Sequence, residues 1–159
     1  MHPNSATSLI VALYQPDIPQ NTGTILRMCA YLGLPAAIIE PAGFSASDRH
    51  FRRAGMDYLA YVDIARYPHW EAFEDWRRAN GRRLLTTKAS RPYTAFRYLP
   101  GDILLAGRES AGVPEEVHDA ADARLIIPLQ PPMRSLNIAV ALAMVAGEAV
   151  RQIRLRGFS

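Results

Sequence analysis

The chain has 159 residues, 49% hydrophobic and 21% charged, a globular balance that excludes disorder and is long enough for one domain with its own core. Eighteen basic residues against fifteen acidic ones leave a net charge of +3, which permits a polyanionic partner without establishing one. A single cysteine, Cys29, excludes a disulfide framework or a cysteine-rich zinc site, and His2, His50, His69 and His118 lack ligand spacing, so no metal is expected.

The first apolar run, Leu9–Tyr14, reads as a buried strand and is too short for the core of a signal peptide, which makes the cytoplasm the expected location. Asn21 is placed to cap a helix that Gly33 ends. Ala36–Glu40 predicts a second strand, Ser47 opens a short helix ending at Gly55, and Tyr58–Val62 predicts the third strand. Pro68 suits the first turn of a helix that stops before Gly81. Further strands are expected over Arg83–Thr87, Asp102–Ala106 and Leu125–Pro128, and a last helix from Ser135 or Leu136 to about Arg156. These strands are continuous Val/Ile/Leu-rich runs, the pattern of a parallel sheet covered on both faces. No linker or repeat interrupts the chain. The expectation is one α/β domain over residues 1–159, a mostly parallel sheet flanked by helices.

The last helix carries nine consecutive apolar residues, Ile138 to Ala146, and so lacks a polar face. It reads as a buried helix rather than a membrane span, covered by the sheet and by a second subunit, with Arg151, Arg154 and Arg156 marking its exit. A homodimer is therefore expected, and no membrane partner.

Familiar cofactor motifs are missing. No G-x-G-x-x-G follows a strand. Gly107 and Gly112 have phosphate-loop spacing, but Val113-Pro114 stand where Lys and Ser/Thr would be needed. What remains is three loops at the carboxyl ends of strands, where open α/β sheets place their ligands. The first is Pro16–Gly23, leading into Thr24-Ile25-Leu26-Arg27, where Asn21 can be a cap and Arg27 a solvated cation. The second is Leu104–Pro114, with Gly107 and Gly112 around Glu109, suited to a backbone that turns close to a ligand. The third is Ile126–Asn137, a proline-stiffened loop ending in Ser135 and Asn137. An amide one turn into a buried helix would need a partner.

In order and spacing these loops resemble the three signature motifs of the SPOUT (α/β-knot) methyltransferases, and most closely the branch that 2′-O-methylates the wobble nucleotide of transfer RNA. Ile39–Phe44, Arg52–Tyr58 and Leu85-Thr86-Thr87-Lys88 add to the likeness, which spans residues 8–153. The resemblance implies a C-terminal trefoil knot, which periodicity could not indicate and which is very rare among folds. It implies S-adenosylmethionine as cofactor, contacted by Leu85, Gly107, Ile127 and Ser135, and active sites built by two subunits together. Arg27 matches the catalytic arginine, with Asn21 six residues before it; Glu109 would hold the loop or contact the ribose, and Ser135 and Asn137 would position cofactor and hydroxyl. The substrate implied is the 2′-hydroxyl of a C34 or modified U34 ribose in the anticodon stem-loop, foremost of the leucine isoacceptors.

Arg49, Arg52, Arg53, Lys88, Arg91 and Arg134 are candidates for phosphate contacts. Two positions depart from the pattern: Arg108 stands where many relatives have Pro, and Gly147 where some have Tyr. Alternatives are a relative acting on another ribose of transfer or ribosomal RNA, and a catalytically silent RNA-binding module. The joint presence of Arg27, Glu109, Ser135 and Asn137 weighs against silence.

Overall fold

The computed structural model describes residues 9–45, 47–109, 111–133 and 135–156, without the side chains of residues 54–56 and 88–90. In chain order the elements are β1 (Ile10–Tyr14), α1 (Pro19–Leu32), β2 (Ala36–Ile39), α2 (Arg49–Gly55), a 3-10 helix (Met56–Tyr61), β3 (Ile64–Tyr67), α3 (Trp70–Ala79), β4 (Leu84–Pro92), β5 (Ile103–Ala106), α4 (Glu115–Ala120), β6 (Ala123–Ile126) and α5 (Ile138–Leu155). Six strands form one sheet in the order β3-β2-β1-β5-β4-β6, every neighbouring pair parallel.

Strand alternation divides the core between two faces. Leu9, Val11 and Leu13 join Ile25, Leu26 and Cys29 of α1 and Leu142, Val145 and Ala149 of α5. Ile10, Ala12 and Tyr14 join Trp70 and Phe73 of α3 and Val117 of α4. With β1, β2 and β5 buried at every residue, the expectation of a sheet covered on both sides holds.

Several boundaries differ from those expected, each for a local reason. Tyr58–Val62 is not a strand: Tyr58–Tyr61 closes a 3-10 helix and Val62 follows it, with Leu59 and Val62 packed on the core while Tyr61 stays 77% exposed. The third strand is Ile64–Tyr67, where polar Arg66 interrupts the continuous apolar run that marks a buried strand. Asn21 is not a cap. Pro19 opens α1 after Ile18, leaving Asn21 inside the first turn with its side chain free for the site, while Gly33 ends the helix at φ 68° as expected. Asp48 rather than Ser47 caps α2, its Oδ1 accepting from the backbone N–H of His50 and Phe51. His69 caps α3, accepting from Ala72 N–H at 3.1 Å, so Pro68 precedes the helix. β6 begins two residues earlier than expected, because the polar stretch Ala123-Arg124 pairs with Leu85 and Thr86.

The last helix starts at Ile138, three residues later than the earliest start expected, and Asn137 is its cap. Ala139, Leu142, Val145, Ala146 and Ala149 face the core. Val140 and Met144 remain 48% and 39% exposed, on a stripe shared with Ala143 and Gly147. Among the described residues no helix is long and apolar enough to cross a membrane.

Candidate active site

Three loops leave the carboxyl ends of β1, β5 and β6, the third running to the start of α5, and enclose with β4 a cavity of about 650 Å³. Its wall includes Ile18 and Asn21 from the first loop, Thr86 and Thr87 from β4, Gly107, Arg108 and Glu109 from the second, and Ser135 and Asn137 from the third. This is the edge at which a parallel sheet places ligands, and the volume lies within the range of small-molecule sites.

A chain of amide contacts crosses the cavity. The cap of α5 makes Asn137 Oδ1 an acceptor, from Ala139 N–H at 2.9 Å and Val140 N–H at 3.2 Å. Its Nδ2 is thereby committed as a donor, and it meets Asn21 Oδ1 at 3.1 Å. Asn21 Nδ2 in turn donates to Glu109 Oε1 at 3.2 Å. Each orientation follows from the one before, so the N-terminus of α5 makes Asn21 a donor to Glu109. The other oxygen, Oε2, is buried without a hydrogen-bond partner among the described residues. Burial, followed by the neighbouring Asp17 carboxylate, pushes the Glu109 carboxyl up to about 7.

Loop two is shaped by close backbone approach. A Cβ on Gly107 would lie 2.9 Å from both the Gly112 carbonyl carbon and Val113 Cγ1. Arg108 and Gly112 exchange two backbone hydrogen bonds, N–H to O at 3.0 Å and 2.7 Å. The first of these requires the N–H that a proline at position 108 would lack. The Arg108 guanidinium turns toward loop one, 3.7 Å from Asp17 Oδ2 and 3.5 Å from Gln15 Oε1, while Glu109 N–H donates to Asp17 Oδ1 at 3.2 Å. Arg108 and Asp17 therefore tie the two loops together. At the other departure, Gly147 lies on the exposed stripe of α5 with nothing within 4 Å of a Cβ.

Of the residues singled out from sequence, Asn21, Gly107, Glu109, Ser135 and Asn137 are brought to one cavity. Leu85 is buried in β4 beside it, and Ile127 packs against the core just past β6; neither lines the wall. Arg27 also lies outside the wall, exposed two turns along α1. Arg134 falls outside the described residues, as does the side chain of Lys88. Thr86 and Thr87, part of the family likeness but not among the expected site residues, also line the wall, and Asp17 reaches Glu109 from the first loop. The signal for the threonines was present, as polar residues at the end of an otherwise apolar strand. That for Asp17 was only its position in the first loop.

A parallel sheet with these loops around one cavity defines a class. Residues 8–147 match the SpoU rRNA Methylase family, and the chain belongs to that family. A relative from Beijerinckia indica subsp. indica, named tRNA (cytidine(34)-2'-O)-methyltransferase, is 68% identical over 146 residues, covering 91% of this chain and 91% of that protein. A solved structure described as "Structural insights into the 2-OH methylation of C/U34 on tRNA" has a TM-score of 0.88 at 40% identity, over 95% of this chain and 99% of that one. An AdoMet-bound rRNA methyltransferase from Sinorhizobium meliloti has a TM-score of 0.85 at 30% identity, over 95% of this chain and 58% of that one.

Proposed function

We propose that this chain is a transfer RNA methyltransferase that moves a methyl group from S-adenosylmethionine to the 2′-hydroxyl of the wobble pyrimidine, position 34. The observation that carries this reading is the convergence of Asn21, Glu109, Ser135 and Asn137 on one cavity, in a chain 68% identical to a relative bearing that activity in its name.

The residues present fit the cofactor. The cavity is large enough, Gly107 lets the second loop close tightly on itself at the wall, and Thr86 Oγ1 is buried at the wall without a hydrogen-bond partner among the described residues. Gly107, Ser135 and the backbone beside Leu85 and Ile127 would hold it. When bound, S-adenosylmethionine supplies a methyl group already activated on a sulfonium. The protein's share is then alignment and charge. The amide chain from Asn137 through Asn21 holds Glu109, and with Ser135 it would orient the ribose hydroxyl. Arg27 would grip the ribose and its phosphate and stabilise developing negative charge. A guanidinium stays protonated, so the hydroxyl proton passes to water, phosphate or a carboxylate rather than to Arg27.

The reading includes a homodimer, with the exposed Val140–Met144 stripe of α5 as its contact, and a cytoplasmic location. It also includes the trefoil knot. Two features support the knot: the strand order sets β5 inside β4, and Gln152 of α5 bonds Phe96 O at 2.9 Å and Tyr98 N–H at 3.1 Å in the segment between those strands. An anticodon loop suits a small domain, since its unpaired bases can be splayed while the ribose enters. Purified protein incubated with labelled cofactor and bulk transfer RNA should place the label on the ribose at position 34. Label on a base, or on a ribose elsewhere, would overturn the assignment. Arg27→Ala should abolish transfer while leaving cofactor affinity within a few-fold, as Arg27 does not line the cavity.

A further inference from the structure

The Arg27 guanidinium is exposed, yet no carboxylate pairs with it among the described residues. It lies instead against two phenol rings, its Cζ 4.6 Å from the ring centre of Tyr58 and 5.9 Å from that of Tyr31. The rings are 5.3 Å apart and tilted by 45°, and the Tyr31 hydroxyl donates to that of Tyr58 at 3.0 Å. Tyr31 stands one turn after Arg27 on α1. Tyr58 comes from the 3-10 helix, whose Leu59 packs on the core beside it. The tyrosine pair is thus anchored from two separate elements and closes around one side chain.

We propose that Tyr58, locked by the Tyr31 hydroxyl, is a positioning residue that holds the Arg27 guanidinium ready for the ribose and its phosphate. The proposal rests on the role given to Arg27 above. The chemistry favours an aromatic holder over an acidic one. A free arginine on a surface samples many rotamers, and ordering it on arrival of the RNA would slow the reaction. A carboxylate would order it but would occupy its N–H donors and cancel the charge that the phosphate must meet. A ring face restrains the cation through the quadrupole, and the phenol oxygens that also accept from it are neutral, so its charge stays available to the phosphate. The Tyr31–Tyr58 hydrogen bond keeps that face from turning away.

The test is single-turnover methyl transfer to bulk transfer RNA, with cofactor affinity measured in parallel by calorimetry. Tyr58→Ala should slow transfer on the order of tenfold to a hundredfold, the scale of a misplaced group, with cofactor affinity within twofold. Tyr58→Phe keeps the ring face and should restore the rate to within about threefold, the remaining loss being that of the hydrogen bond to Tyr31. A fold defect would instead lower cofactor binding. If Arg27→Ala is inactive and Tyr58→Ala remains within threefold of wild type, or if Tyr58→Phe is as slow as Tyr58→Ala, the positioning proposal fails alone. If Arg27→Ala transfers methyl at the wild-type rate, the role of Arg27 fails and takes this proposal with it.

Discussion

Gly107→Ala tests how closely the second loop must approach itself. The new Cβ would meet the Gly112 carbonyl carbon and Val113 Cγ1 at 2.9 Å and the Gly112 oxygen at 3.1 Å. Reaching ordinary contact requires about half an ångström of backbone movement, and two backbone hydrogen bonds between Arg108 and Gly112 oppose it. Overpacking of this kind costs about 1–3 kcal/mol. If the loop keeps its shape, the strain lowers the thermal midpoint by roughly 2–12 °C for a domain of this size. If the loop yields instead, the same free energy appears as roughly 5- to 150-fold weaker cofactor binding. Thermal unfolding and calorimetry with S-adenosylmethionine, run on the same preparation, read the two outcomes together. A control is Gly147→Ala, where a Cβ meets nothing within 4 Å on a helix and should stabilise by about 0.5–1 kcal/mol. A Gly107→Ala protein that melts within 1 °C of wild type and binds cofactor within about twofold would refute the reasoning.

Three further outcomes are expected. Glu109, raised from its ordinary 4.5 to about 7, is protonated in both folded and unfolded states at low pH, and above 7 its ionised form penalises the fold. Glu109→Gln should therefore gain stability over wild type as pH rises from about 5 to 8, read as a growing difference in melting temperature; a pH-independent difference would mean that the carboxyl is not raised. Gln152→Ala leaves Phe96 O and Tyr98 N–H without their partner and should lower unfolding stability by about 2 kcal/mol in urea. If the proposed dimer forms through the exposed stripe of α5, wild type should run as a dimer by light scattering and Val140→Arg, which puts a charge there, as a monomer; a dimeric Val140→Arg protein or a monomeric wild type would refute that contact.

Much of this protein was legible in its sequence. Continuous apolar runs such as Ile10–Tyr14 and Ile103–Ala106 can be satisfied only between two helical layers, so the parallel sheet followed from composition at short range. Gly33 ended its helix where only a left-handed residue fits, and the order of the three loops carried the family likeness before any geometry was known.

Tertiary structure decided what local pattern could not. Tyr58–Val62 has strand composition, but Tyr58–Tyr61 closes a 3-10 helix that packs Leu59 on the core, and β3 formed from the more polar Ile64–Tyr67 because an edge strand needs only one apolar face. Asn21 was read as a cap because a cap is local. Its partners, Glu109 and Asn137, are 88 and 116 residues away, and only the assembled sheet brings them within 3.2 Å. The same holds for Asp17, which raises the Glu109 carboxyl from a different loop, and for Tyr58, which meets Arg27 from a different helix. Spacing along the chain reports what one element buries. Which side chains of different elements meet depends on strand order and packing, and these are settled only when the whole core closes.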